Sequence, residues 1–181
     1  MKIKQLIILS LAFVLPISIF IFLKTMGKNE FAVEPFYQQG VIEVSSECGP
    51  QYQTPYAVPQ NVLIDISWNE NDSLTLYIFD AETEMTGEVS RRMGEKLATD
   101  ELSAYVLTSD SSEVLKQHAL PVLVKDVVTL DQLMECMLIM EKGKNAVLLD
   151  KQRRIRGYYD LADREELDRL AVELTIILKK Y

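Results

Sequence analysis

The sequence predicts an α/β domain carried behind an N-terminal transmembrane helix, and three observations predict it. Residues 6–23 form an apolar run without a charged residue. From position 62 onward, runs rich in Val, Ile, Leu and Tyr alternate with stretches of helical apolar spacing. At the far end, residues 145–160 read as two short strands joined by a polar turn, with a capped helix behind them.

The apolar run is interrupted only by Ser10, Pro16 and Ser18. At about 1.5 Å per residue it reaches roughly 27 Å, enough for a thin bilayer core. Lys2 and Lys4 precede it, and Lys24-Thr25-Met26-Gly27-Lys28 follows without a small-x-small cleavage site or a lipid-accepting cysteine. An uncleaved anchor is the expectation. Lysines on both flanks leave the positive-inside bias slight. A short basic head before a large domain places that domain on the extracytoplasmic, periplasmic side of a single-pass cell-membrane protein.

The chain divides on this reading into an anchor with short flanks (1–28), an extended approach segment (29–61) and the folded domain (62–181). The approach segment holds Pro35, Pro50, Pro55 and Pro59 with Gly27 just before it and Gly40 and Gly49 within it. Its Phe31, Phe36, Tyr37, Tyr52 and Tyr56 suggest that it lies against the domain.

Within the domain, 62–68 and 74–79 read as strands, separated by the turn Asn69-Glu70-Asn71-Asp72. Residues 81–97 read as a helix, with Met85, Val89, Met93 and Leu97 along one face. A strand at 104–108, a short helix at 112–117 and a brief buried strand at 122–124 follow. Residues 129–140 carry Leu130, Leu133, Met134, Met137 and Leu138 at helical spacing. The hairpin 146–149/155–158 precedes a helix with Asp163 as N-cap and Glu166 three residues on, the pattern of a capping box. Leu167, Leu170, Leu174 and Ile177 form its apolar stripe, and Lys179 and Lys180 suit its C-terminal dipole. Helices between strands, then an antiparallel hairpin and a packing helix, follow the logic of a thioredoxin-like domain.

The net charge of −8 excludes nucleic acid as a partner, because phosphates would repel such a surface. The cysteines are Cys48 and Cys136, and two readings stay open for them. In an oxidising compartment an even pair suggests a disulfide, which by closing so long a loop would stabilise by about 4–5 kcal/mol in the chain-entropy model. The other reading is two separate thiols, with Cys136 a small buried residue of an apolar helix. Met134, Cys136, Met137 and Met140 are soft donors on one helix, conceivable for copper, yet methionines at helical spacing more often fill a core. His118, with Glu113, Lys116 and Lys125 as neighbours, reads as a surface or helix-end residue. It is the one histidine in the sequence, and with no second histidine to pair with a nucleophile no catalytic triad is expected. Glu82 and Glu84 read as helix-start carboxylates that complement the dipole.

The stretch Val147-Leu148-Leu149-Asp150-Lys151-Gln152, continued by Arg154-Ile155-Arg156-Gly157-Tyr158-Tyr159-Asp160 and an acidic helix, resembles the end of SCO/SenC-family proteins. These are membrane-anchored thioredoxin-fold proteins associated with copper delivery to cytochrome oxidase. Val106-Leu107-Thr108-Ser109-Asp110 with Leu120-Pro121-Val122-Leu123 is similar to the second strand of that wider fold and the segment after it. The resemblance implies a Cys-x-x-x-Cys pair after the first core strand and a histidine before the hairpin. Residues 79–85 hold no cysteine, Glu141-Lys142-Gly143-Lys144 holds no histidine, and Arg153 stands where the family commonly has a turn glycine.

The resulting expectation is an anchored SCO-like protein that is not an enzyme and has no catalytic residue, cofactor or metal. Its work would be interaction or assembly at a respiratory or envelope membrane complex, with no small-molecule partner identified. The alternative is a copper-binding or thiol-redox protein using Cys48 and Cys136.

Overall fold

The computed structural model describes residues 3–26, 32–42, 48, 52–99, 101–115 and 118–179. Two compact units are present, Met1–Ala32 and Val33–Tyr181. The first contains helix α1 (Ile3–Met26), with Pro16 inside it. Its described side chains at 12–22 are exposed, Phe13, Phe20 and Phe22 among them. Among the described residues no helix is long and apolar enough to cross a membrane. The spanning role of 6–23 therefore rests on the sequence.

The second unit is a mixed α/β, thioredoxin-like domain. Its strands are β1 (Leu74–Phe79), β2 (Leu102–Thr108), β3 (Val122–Val124), β4 (Ala146–Asp150) and β5 (Ile155–Tyr159). They lie in the order β3-β2-β1-β4-β5. β1, β2 and β3 run parallel, while β4 is antiparallel to β1 and β5 to β4. β1 sits at the centre and is buried at every position, which explains why it reads as one continuous apolar run.

Alternation along β1 splits the core in two. Leu74, Leu76 and Ile78 face helices α3 (Thr83–Leu97) and α5 (Arg164–Leu178), where Val89, Met93, Leu167, Leu170, Leu174 and Ile177 meet them. Tyr77 and Phe79 join the opposite cluster, with Leu130, Leu133, Leu138, Val147, Leu149 and Tyr158. Residues 33–58 contribute Tyr56 and Val58 to that second cluster. Their backbone is tied to the far side of the hairpin by Phe36 N–H to the Ile155 carbonyl (2.8 Å) and Val58 N–H to the Arg153 carbonyl (2.9 Å).

Three elements differ from the sequence expectation. Residues 62–68 are no strand: helix α2 (Gln60–Ile64) follows Pro59, and Leu63 and Ile66 are buried while Ile64 points outward. A three-residue spacing of buried side chains prevailed over β-branched composition. The helix expected over 129–140 breaks into α4 (Val127–Gln132) and a π-helical turn (Leu133–Met137). In place of the expected capping box, Asp163 accepts from the Glu165 amide (2.9 Å). Glu166 instead reaches Lys144 and Arg169, at 2.7 and 2.8 Å.

The hairpin is built around a fully buried carboxylate. Asp150 accepts from the Gln152 and Arg154 amides and from Arg154 Nε, with Arg156 at 3.4 Å. Arg153, in the place of the expected turn glycine, holds φ at +65°. Gly157 is required by close approach: the Tyr159 ring lies where its Cβ would be.

Candidate functional site

Two places carry chemistry-bearing residues. One is at the C-terminal end of β1, the other where α4 gives way to the π turn.

At the first, Asp80, Ala81, Glu82, Thr83 and Glu84 lead into α3 and line an open pocket of about 670 Å³ with Thr108, Asp110 and Glu113. Asp80 turns the chain at φ +47°, its amide donating to the Leu107 carbonyl and its carboxylate accepting from Thr108 Oγ1. Glu82 is the N-cap of α3 without a side-chain capping bond, and Glu84 lies in the first turn. The pocket is acidic and contains no thiol.

His118 stands behind this wall, and its position corrects the sequence reading. Its ring is only 1 % exposed, so it is no surface residue. Nε2 meets Glu113 at 2.9 Å and Nδ1 meets Thr86 Oγ1 at 3.4 Å. Thr86 is buried and donates its own hydroxyl proton to the Thr83 carbonyl (2.9 Å). The Glu113–His118–Thr86 row has the order of a nucleophile relay, but its hydroxyl is spent on the backbone and shielded from solvent. It joins the 3₁₀ turn at Ser111–Leu115 to α3. The contact with Thr86, 32 positions away, left no signal in the sequence.

At the second place, Cys48 and Cys136 are joined in a disulfide, with Cα atoms 5.2 Å apart across 88 positions of chain. Cys136 is buried within the π turn, whereas Cys48 is half-exposed. Three phenols hold the backbone here. Tyr52 donates to the Cys136 carbonyl (3.0 Å), Tyr56 to the Met137 carbonyl (2.6 Å) and Tyr158 to the Leu138 carbonyl (2.7 Å). Three successive carbonyls at a helix end thus receive side-chain donors in place of helical ones. They complete the end of the π turn, where no further helical amide follows. Burial pushes all three phenols above the ordinary tyrosine range; for Tyr56 the neighbouring Tyr52 and Tyr37 add to it, and for Tyr158 the hydrogen bond with Tyr37 does. They remain protonated donors. The rings pack edge to face, Tyr52 on Tyr56 at 5.3 Å and Phe36 on Tyr158 at 5.2 Å.

Met134, Met137 and Met140 pack as partly buried side chains on the same core, as the core-filling reading expects. Among the described residues no group of three or more His, Cys, Asp or Glu is arranged to hold a metal ion. Before the hairpin, Asn145 accepts from the Leu161 amide (2.8 Å) and places its Nδ2 3.8 Å from the Met85 sulfur, a structural role.

No protein-family model and no curated protein matches the chain. Among solved structures, it is similar to BsSco, described as a member of the Sco family of cytochrome c oxidase assembly proteins. That match has 9 % identity, a TM-score of 0.45, and covers 62 % of this chain and 84 % of BsSco. Peroxiredoxin Q of Xanthomonas campestris matches at 14 % identity and a TM-score of 0.42, over 60 % and 82 % of the two chains. The bacterioferritin comigratory protein of the same organism, described with alkyl peroxide reduction activity, matches at 10 % identity and a TM-score of 0.42, over 60 % and 82 %. These likenesses concern fold and transfer no chemistry.

The expectation that the chain is not an enzyme is corrected here. It gave weight to the reactive loop, empty of cysteine, and left the Cys48 and Cys136 pair as the alternative. The structure joins Cys48 and Cys136 in a disulfide elsewhere on the domain, a bond open to thiol–disulfide exchange.

Proposed function

We propose that the chain is a thiol–disulfide exchange protein whose Cys48–Cys136 pair is reduced and reoxidised in turn. The observation that carries this reading is the asymmetric pair itself. Both cysteines of the sequence are joined, one half-exposed and the other buried in a turn. In the reductive direction a thiolate of a partner dithiol attacks Cys48 Sγ, the reachable sulfur. The S–S bond breaks and Cys136 leaves as a thiolate that takes up a proton. The partner's second thiolate then attacks its own sulfur in the mixed disulfide. Cys48 is released, and the partner departs as a disulfide. Two electrons and two protons have then moved to the pair, and the reverse sequence oxidises a dithiol.

The N-terminal segment is the proposed anchor. A charge-free run at 6–23 and a helix exposing Phe13, Phe20 and Phe22 favour apolar surroundings over water. A disulfide is best kept in an oxidising compartment, which favours the extracytoplasmic side. The resemblance of 145–160 to SCO/SenC proteins supports a client within a membrane complex.

Thiol counting on the full chain in detergent tests the reading. Incubation with excess reduced glutathione should expose two alkylatable thiols without unfolding, and glutathione disulfide should close them again. Cys136→Ala should trap a mixed disulfide on Cys48. A bond that opens only when the protein unfolds would sink the proposal. Stoichiometric Cu(I) retention by the reduced chain, lost in Cys136→Ala, would turn it towards metal delivery.

A further inference from the structure

We infer that Tyr52 and Tyr56 are positioning residues of the Cys48–Cys136 couple, forming a non-covalent clasp that holds the two thiols in register once the disulfide is open. This rests on the exchange reading above and concerns how the same site cycles.

The clasp follows from where the phenols begin and end. Tyr52 lies four residues after Cys48 in the chain, and its hydroxyl reaches the carbonyl of Cys136 itself. Tyr56 reaches the next carbonyl, that of Met137. The segment that delivers Cys48 is therefore fastened to the peptide units of its partner cysteine, with no help from sulfur. Further along, Tyr56 N–H donates to the Tyr37 carbonyl (3.1 Å) and the buried Tyr56 and Val58 hold the segment to the core. Opening the S–S bond leaves all of these contacts available.

The consequence is a short tether. Four residues from an anchored Tyr52 span at most about 14 Å, so the Cys48 thiol stays close to Cys136. Ring closure is then an intramolecular step at high effective concentration. Clasp and disulfide close the same loop, so each lowers the entropic cost of the other, and their coupling is reciprocal. Tyr158 supplies the internal contrast. It makes the same kind of bond to the following carbonyl, Leu138, but comes from β5 and carries no cysteine with it.

Equilibration of the full-length protein with defined ratios of reduced and oxidised glutathione tests the inference. The reaction is balanced: protein disulfide and two glutathiones against protein dithiol and glutathione disulfide. Tyr52→Phe keeps the ring and removes the donor. With the donor gone the clasp opens more readily in the dithiol form than in the disulfide form, which should lower the equilibrium constant for disulfide formation by between about twofold and fivefold, the upper limit being the worth of one net hydrogen bond. Tyr56→Phe should act in the same direction, and the pair together by the product of the two factors if the two bonds act independently. Tyr158→Phe should lower the Tm yet leave that constant within twofold. Constants unchanged within twofold in Tyr52→Phe would overturn the inference and make the phenols structural only. Because Tyr52 is half-buried and lies outside the regular elements, this variant decides the matter even where Tyr56→Phe fails to fold. A wild-type bond that resists glutathione in the folded protein is a different result, and it removes the exchange reading itself.

Discussion

The two faces of the central sheet are built on different plans. On one, α3 and α5 press regular apolar stripes onto Leu74, Leu76 and Ile78, an almost wholly aliphatic contact. On the other, a short helix, a broken helix and an irregular segment meet around Tyr56, Tyr77, Tyr158 and Phe79. The first face needs nothing beyond periodicity, since fifteen-residue helices carry their own hydrogen bonds and bury one side. The second has too little regular backbone to satisfy itself. Phenol-to-carbonyl bonds and the disulfide complete it. The disulfide sits where the architecture depends on long-range ties.

Removing those ties is the strongest way to break the comparison. Replacing Cys48 by Ser and Cys136 by Ala together should cost about 4–5 kcal/mol in the chain-entropy model. Urea denaturation of oxidised wild type and variant would measure it, and a loss below about 1 kcal/mol would show that the tyrosine contacts suffice. On the regular face, Leu174→Ala should cost about 3 kcal/mol, because a fully buried leucine leaves a cavity that its neighbours only partly fill. Glutathione exchange at Cys48 should be unaffected in that variant. A shift in the redox equilibrium would mean that the faces are coupled through the sheet.

The smallest effect sharpens the link between hairpin and α5. The Lys144 ammonium, hydrogen-bonded to Glu166, holds its carboxyl below the ordinary glutamate range, and Arg169 adds to this. A depressed folded value means stability that is present above the unfolded glutamate pKa and lost as pH falls through the folded one. Glu166→Gln should therefore cost a few tenths of a kcal/mol near neutrality, the scale of a partly exposed ion pair. The difference from wild type should begin to shrink as pH falls below about 4.5 and vanish once pH has passed the depressed folded value. Thermal melts of both proteins across that range would reveal it, and a pH-independent difference would assign the effect to packing.

Much of the fold was legible because its signals are local. β1, β2, β3 and the hairpin each read as short apolar runs between turn residues, and α3 and α5 announced themselves by spacing. The errors fell where short apolar runs admit two periods. Residues 62–68 carry strand composition, yet Pro59 and the buried Leu63–Ile66 spacing turned them into helix. The candidate site was half legible. Cys48 and Cys136 could be named as a pair, but the search for chemistry centred on the loop after β1, where the fold ordinarily places it. For His118 the neighbour Glu113 was legible and does bond the ring, whereas its burial was not, since the second partner Thr86 lies on another element.

By itself the sequence determined the core strands, the two long helices, the acidic loop without a thiol and the identity of the two cysteines. These depend on residue type and on neighbours within a few positions. Only the tertiary structure decided that Cys48 reaches Cys136, that three phenols from distant segments bond the carbonyls at the end of the π turn, and that the His118 ring is buried. Each of these joins groups distant in sequence, and such contacts form where packing brings two segments together, which no local period encodes.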